Sequence, residues 1–221
     1  FKQKTAYEIV IATSGPGAAN LITGIATANM DSIPIVCITG QVANPAIGKD
    51  SFQEVDVCGI TTPITKHNYL VKDVKELPRV IKEAFFIART GRPGPVAIDV
   101  AADVFNTEFD FTYPGEIYLR GYSGNYTGDV AEIDAAIQAI EDSEKPIIFY
   151  GGGVTSSNTS EDLRAIARRL GCPVTSTIMG LGCMDSDSKN FLGFAGMHGS
   201  YGSNMAIQNC DLLLAIGMRF S

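Results

Sequence analysis

Ile11-Ala-Thr-Ser-Gly-Pro-Gly-Ala-Ala-Asn20 reads as a strand that enters a Gly-Pro-Gly turn and leaves as a helix. Glycine admits the positive φ that such a turn needs, and the helix that follows brings its free N–H groups close to whatever sits at the strand end. The same grammar repeats along the chain. Short Val/Ile-rich runs alternate with amphipathic stretches, the pattern of strand-helix-strand units around a buried parallel sheet. Strands are expected at Val10 to Thr13, Pro34 to Thr39, Thr65 to Val71, Val96 to Val100, Ile147 to Tyr150, Val174 to Thr177 and Leu212 to Ile216. Gly17 to Met30 is expected as one helix and Lys75 to Arg89 as another, with Pro78 in its first turn and Leu77, Val80, Ile81, Ala84, Phe85 and Ala88 at helical spacing. Asp129 caps a third, with Ile133, Ala136, Ile137 and Ile140 on one face, and Thr159 or Ser160 caps a fourth that ends at Gly171. The fold class is α/β, in two consecutive parallel-sheet units.

Composition narrows the function. The 221 residues are 45% hydrophobic and carry 17 basic against 24 acidic side chains, a formal charge of -7. Arg168-Arg169 is the longest basic cluster, so nucleic acid is not expected as a partner. The apolar runs Ile33 to Ile38 and Leu212 to Ile216 are far shorter than the roughly 20 residues that span a bilayer. Five cysteines, odd in number and widely spaced, suit reduced core thiols in a cytoplasm rather than a disulfide framework. With no C-x-x-C pair and with His67 and His198 far apart, no metal site is expected.

Phe105 to Gly128, rich in Tyr, Gly, Asn and Thr, is longer than most connections inside one domain. It is expected to be a linker between a unit at residues 10–104 and a second unit at 129–221 that ends before its sheet is complete. The opening Phe1-Lys-Gln-Lys-Thr-Ala-Tyr-Glu-Ile9 resembles the in-frame translation of a common sequencing-library adapter and is set apart from the fold. Its alternative reading is an ordinary helix end leading into the strand at Val10.

The Gly-Pro-Gly segment resembles the pyrimidine-binding domain of thiamine-diphosphate enzymes, and the following motifs sharpen the likeness. Ile38-Thr-Gly-Gln-Val42, Gly48-Lys-Asp-Ser-Phe-Gln-Glu54, Ile64-Thr-Lys-His-Asn-Tyr-Leu-Val71 and Gly91-Arg-Pro-Gly-Pro95 stand in the order and spacing of the acetolactate synthase family of large catalytic subunits. So do Gly151-Gly-Gly153, Ser176-Thr-Ile-Met-Gly-Leu-Gly182, Gly196-Met-His-Gly199 and Asp211-Leu-Leu-Leu-Ala-Ile-Gly-Met-Arg-Phe220. The resemblance runs through Val10 to Ser221. It implies a pyrimidine-binding domain followed by a central domain carrying FAD, with a third domain, absent here, holding pyrophosphate and Mg2+. It implies condensation of two pyruvates, or of pyruvate with 2-oxobutyrate, with loss of CO2 in branched-chain amino-acid biosynthesis. Homodimers or tetramers and a small regulatory subunit come with the family. Other readings are a different FAD-bearing carboligase, such as glyoxylate carboligase, or a nonenzymatic flavin-binding module.

By resemblance, Ser51, Phe52 and Gln53 lie beside thiamine, with Phe52 a wall of the substrate pocket and Gln53 a neutral hydrogen-bonding group. Arg92 is carried over as an FAD contact, its guanidinium suited to phosphate or flavin oxygens. Gly152, Thr177, Ile178, Ala195, Gly196, Met197, His198, Gly217, Met218, Arg219, Phe220 and Ser221 are likewise carried over to FAD, at strand ends where open α/β sheets bind nucleotides. His198 would pack against or donate to the flavin rather than move protons; His67 is read as structural. The glutamate that activates the aminopyrimidine lies upstream in relatives, and neither Glu8 nor Glu54 occupies its motif, so no catalytic residue is expected in this chain. Ala43, Asn44-Pro45 and Ala101-Ala102 depart from a Pro and a Pro-Lys pair that line the approach to the site in biosynthetic relatives. The expected outcome of incubating this chain alone with thiamine diphosphate, Mg2+, FAD and pyruvate is no acetolactate; turnover above background would contradict it.

Overall fold

A computed structural model describes residues 8–122 and 127–220. The chain divides into two units, Phe1–Tyr126 and Thr127–Ser221. The first runs β1 (Glu8–Ala12), α1 (Pro16–Asn20), α2 (Ile22–Asp31), β2 (Ile35–Gln41), α3 (Val57–Thr61), β3 (His67–Val71), α4 (Leu77–Arg89), β4 (Val96–Ala101) and α5 (Ala102–Phe105). Its strands form one parallel sheet in the order β1-β2-β4-β3. Strand β4 is buried at all six positions, which is why it reads as Val-Ala-Ile-Asp-Val-Ala without alternation. Helix α4 covers the sheet with Val80, Ala84, Ile87 and Ala88, which join Val36, Val71, Val96 and Ile98 in one core.

The second unit runs α6 (Val130–Asp142), β5 (Pro146–Tyr150), α7 (Gly152–Ser156), α8 (Ser160–Leu170), β6 (Val174–Ser176), β7 (Phe191–Phe194), α9 (Tyr201–Asn209) and β8 (Leu212–Ile216). Its sheet is also parallel, in the order β7-β6-β5-β8. Ile148, Val174, Leu163 and Ala167 centre its core. Asp129 caps α6 by accepting from the N–H groups of Ala131 (2.8 Å) and Glu132 (3.3 Å), and α8 ends on Gly171 in the left-handed region.

Several expectations change. The first sheet begins at Glu8, whose pairing with Ile35 and that of Ile9 with Val36 continue the ladder, so the boundary drawn after Ile9 falls inside a strand. Residues 1–7 lie outside the described residues. The single helix expected over Gly17 to Met30 is two, because Leu21 N–H turns back to Ala18 O at 3.1 Å, a tighter i to i−3 bond. The second unit has four strands where three were read. The fourth, β7, is short, half-buried and carries Gly193 at φ +91°, so it lacks the Val/Ile run that marks its neighbours. The apolar face of α6 is not buried: Val130, Ile133 and Ile137 are exposed.

The stretch read as a linker from Phe105 is not loose along its described length. Phe109 and Leu119 pack against the first core, and Lys82 Nζ donates to the carbonyls of Pro114 and Gly115 at 2.9 and 2.6 Å. Tyr122 closes the segment. Its hydroxyl donates to Thr90 O at 3.0 Å, while Lys66 Nζ donates to Thr90 O (2.6 Å), to Ile87 O and to Tyr122 Oη (3.3 Å). Lys66 thus satisfies carbonyls at the C-terminal end of α4, where a cation is favoured. Removing the ring and hydroxyl with Tyr122→Ala should raise the rate of proteolytic cleavage within residues 106–122 about tenfold, as expected for a locally opened segment. An unchanged cleavage rate there would show that the segment is held without Tyr122.

Candidate functional site

In a parallel sheet every strand delivers its C-terminal end to the same edge, so loops distant in sequence become neighbours. In the first unit that edge gathers the turn after β1 and the loop after β2. Gly15, at φ +59°, lies against Gln53: a Cβ there would stand 2.7 Å from Gln53 O and 2.8 Å from Gln53 Cβ. The Gly-Pro-Gly turn and the Ser-Phe-Gln segment, read separately in the sequence, therefore meet. Gly15 is required by both its φ and this close approach.

The loop after β2 is closed by its own polar groups. Ser51 Oγ donates to Ala46 O at 2.9 Å. The Glu54 carboxylate accepts from Ser51 N–H at 2.9 Å and from Gly48 N–H; these donors hold its carboxyl below the usual range. Glu54 is thereby occupied in shaping the loop. Two non-glycine residues in the loop take left-handed conformations, Asp50 at φ 52° and Gln53 at φ 60°, each unfavourable by about 1 kcal/mol or more. Phe52, between them, is 88% exposed. An apolar ring and a primary amide are thus presented side by side on a constrained turn.

Beneath this loop lies a group that the motif reading passed over. Asp99, on β4, is 1% exposed. Its carboxylate accepts from Thr39 Oγ1 at 2.7 Å and from Gln41 Nε2 at 2.9 Å. The same Gln41 Nε2 donates to Val55 O at 2.7 Å, and Gln41 Oε1 accepts from Val42 N–H at 2.8 Å. Burial pushes the Asp99 carboxyl up to about 6, against the pull of the Thr39 and Gln41 donors and with a further push from Asp56. A lone carboxylate inside an otherwise apolar strand was the available signal, since such a group must be partnered when buried.

The departures noted in the sequence are also legible. Asn44 N–H and Nδ2 donate to Asp103 at 3.1 and 2.9 Å, and Nδ2 reaches Lys72 O at 2.8 Å. Asn44 thereby fastens the start of the loop after β2 to α5, which follows β4, and to the residue after β3. Ala101 is fully buried. Arg92, carried over as a flavin contact, donates through Nε to Ser32 Oγ at 2.9 Å and through an Nη to Asn29 O at 2.6 Å. It is anchored on the C-terminal end of α2, within its own unit.

In the second unit the four strand ends are stitched together by backbone. Thr177 N–H donates to Tyr150 O (2.8 Å), Ala195 N–H to Ser176 O (2.9 Å), Gly151 N–H to Ile216 O (3.0 Å) and Gly153 N–H to Gly217 O (2.7 Å). The residues assigned by resemblance, Gly152, Thr177, Ile178, Ala195 to His198 and Gly217 to Phe220, therefore share one edge; Ser221 lies outside the described residues. Gly151 and Gly153 serve the approach of β5 to β8. A Cβ on Gly153 would lie 2.6 Å from Gly217 O, and one on Gly151 would lie 2.7 Å from Met218 Cβ. Asn204 on α9 clasps Gly196, accepting its N–H and donating to its carbonyl, both at 3.0 Å. Around this edge Ile178, Met179, Leu181, Met197 and Phe220 are exposed, Met197 at 93%. Such an apolar rim with glycine backbone between fits a flat ring system with polar edges.

The comparisons agree with this division. Residues 2–60 match the thiamine pyrophosphate enzyme N-terminal TPP binding domain, and residues 133–221 match the thiamine pyrophosphate enzyme central domain. The first of these matches includes most of the segment set apart as foreign. The chain is 48% identical over 214 residues, 96% of its length, to the acetolactate synthase large subunit of Buchnera aphidicola subsp. Schizaphis graminum. It is 47% identical over 212 residues to that of Corynebacterium glutamicum and 42% identical over 214 residues to the isozyme 3 large subunit of Escherichia coli, each over 96% of this chain. It spans 38%, 34% and 37% of the lengths of these three relatives.

Asp99 gives a pH test. Its native pKa of about 6 stands above the ordinary 3.8, so the native chain keeps a proton that the unfolded chain releases between about pH 4 and 6. The group therefore costs nothing below that window and on the order of 3 kcal/mol above it. Asp99→Asn cannot titrate. The difference in urea unfolding free energy, variant minus parent, should grow in the variant's favour from pH 4 to 6 and level off by pH 7. A difference independent of pH would mean that Asp99 does not titrate in this range.

Proposed function

The chain belongs to the thiamine pyrophosphate enzyme family, and from that premise we propose that it forms part of the catalytic large subunit of an acetolactate synthase. The substrates of this reading are two pyruvates, or pyruvate and 2-oxobutyrate, joined with loss of CO2. The observation that carries it is the continuous identity of 42% to 48% to such subunits through 96% of the chain, across both units.

Thiamine diphosphate, when bound, supplies the electron sink for cleaving the bond next to the keto carbon. Ser51 holds the loop closed, Phe52 offers an apolar wall, and Gln53 offers amide donors and an acceptor that orient a ligand without titrating. Gly15 lets Gln53 lie against the Gly-Pro-Gly turn. Phe52 is exposed in the isolated chain, which supports a homodimer or tetramer in which another surface faces it. FAD would be held by Gly152, Thr177, Ile178, Ala195, Gly196, Met197, His198, Gly217, Met218, Arg219 and Phe220, whose apolar rim suits a flavin. Arg92 is assigned to FAD by the family resemblance alone; within its own unit its guanidinium is held on α2. Mg2+ would accompany the pyrophosphate, and no residue described here is assigned to it. A small regulatory subunit and a cytoplasmic location complete the reading; the five cysteines are all free, and among the described residues no helix is long and apolar enough to cross a membrane.

The test is an assay of the complete subunit with thiamine diphosphate, Mg2+ and FAD, offering pyruvate, pyruvate with 2-oxobutyrate, and glyoxylate in turn. Acetolactate from pyruvate is expected, with kcat/KM at least about tenfold lower in Phe52→Ala through loss of apolar contact. Condensation of glyoxylate in place of pyruvate would point to a different carboligase. FAD binding without turnover of any of the three would reject an enzyme.

A further inference from the structure

Asp99 and Gln41 are buried polar groups that the proposed chemistry does not use. Each atom of the Gln41 amide is committed: Nε2 spans Asp99 Oδ2 and Val55 O, and Oε1 takes the Val42 N–H. The other carboxylate oxygen of Asp99 takes the Thr39 hydroxyl. An ionised carboxylate only accepts, so it compels Gln41 to present its N–H groups both inward and toward Val55. Val55 is where the loop after β2 rejoins the fold, directly before Asp56, which caps α3 by accepting from Gly59 N–H. Two residues earlier stands Gln53 in its left-handed conformation, pressed against Gly15. Unfavourable conformations of this kind persist only where the surroundings over-determine them. A turn pinned at one end by Gly15 needs a second fixed point.

We propose that Asp99 is a positioning residue for Gln53 and Phe52: through Gln41 it fixes the carbonyl of Val55 and so sets where the Ser51 to Gln53 turn stands above the sheet edge. The inference deepens the reading of that turn as the thiamine-side element and rests on it. Asp99 touches no ligand in this account; it acts on the strain-bearing turn through one amide and one carbonyl.

The experiment uses the complete subunit with Asp99→Leu, Asp99→Asn, Gln41→Leu and Gln53→Ala. Amide hydrogen exchange over residues 46–57 is read by mass spectrometry, and thiamine diphosphate affinity by titration with Mg2+ present. Asn offers an oxygen to Gln41 and an N–H to the Thr39 hydroxyl, so it should stay within about threefold of the parent on both readouts. Asp99→Leu and Gln41→Leu should each raise exchange over residues 46–55 about tenfold and weaken thiamine diphosphate binding about tenfold, while exchange elsewhere is unchanged. Gln53→Ala should weaken binding and leave exchange at Val55 and Val57 as it was. Unchanged exchange over 46–55 in both leucine variants overturns the proposal, and so does loosening of the whole unit in both. Failure of Asp99→Asn to rescue overturns it as well. If exchange responds as expected but neither the leucine variants nor Gln53→Ala alters affinity, the positioning stands and the thiamine-side reading of the turn fails.

Discussion

Strand β4 is buried on both faces along its whole length, and the first unit is arranged around what that burial permits. A central parallel strand must be apolar or fully partnered, because an unpaired polar group there would be unfavourable by a few kcal/mol. Asp99 breaks the apolar run and is tolerated because Thr39 and Gln41, from the neighbouring strand β2, each donate to one of its oxygens. That requirement propagates outward. Gln41 becomes oriented, Val55 becomes anchored, and the loop between them is held in a shape that places two non-glycine residues at positive φ.

The second unit meets the same demand at its sheet edge by a different means. There the backbone itself is the partner: the N–H groups that emerge from β5, and from the loops after β6 and β7, are taken by the carbonyls of adjacent strand ends. Such close stitching leaves no room for side chains, which is why Gly151, Gly153 and Gly217 crowd together. With its polar backbone satisfied, the edge presents mainly apolar side chains. The two units thus offer different surfaces, one an isolated ring beside an amide on a strained turn, the other a broad apolar rim around glycine backbone.

Much of this was legible in the sequence. Helix α4 was readable because six apolar positions recur at helical spacing with Pro78 in the first turn, and the buried strands were readable because they are dense in Val and Ile. Strand β7 was not, since Phe-Leu-Gly-Phe has neither alternation nor β-branching and its pairing carries a register shift between Val174 and Ser176. The segment after Phe105 looked like a linker because it lacks periodicity; its attachment depends on single anchors, Phe109, Leu119 and Tyr122, that no local pattern announces. At the site, the Gly-Pro-Gly turn and the Ser-Phe-Gln segment were each visible, but their contact is tertiary. The hidden part is Asp99 with Gln41, whose meaning depends on strand order β2 beside β4, a fact that local sequence does not encode.

The central claim is that one sheet edge in each unit serves one cofactor, thiamine diphosphate at the Ser51 to Gln53 turn and FAD at the ends of β5, β6, β7 and β8. A crystal structure of the complete subunit with both cofactors bound tests it most directly. The account predicts Phe52 or Gln53 in contact with thiamine diphosphate, and flavin or its phosphates against the loops at Gly152, Thr177, Gly196 and Gly217. Thiamine diphosphate remote from the Ser51 to Gln53 turn of every subunit, or FAD away from the second sheet's C-terminal edge, would contradict it.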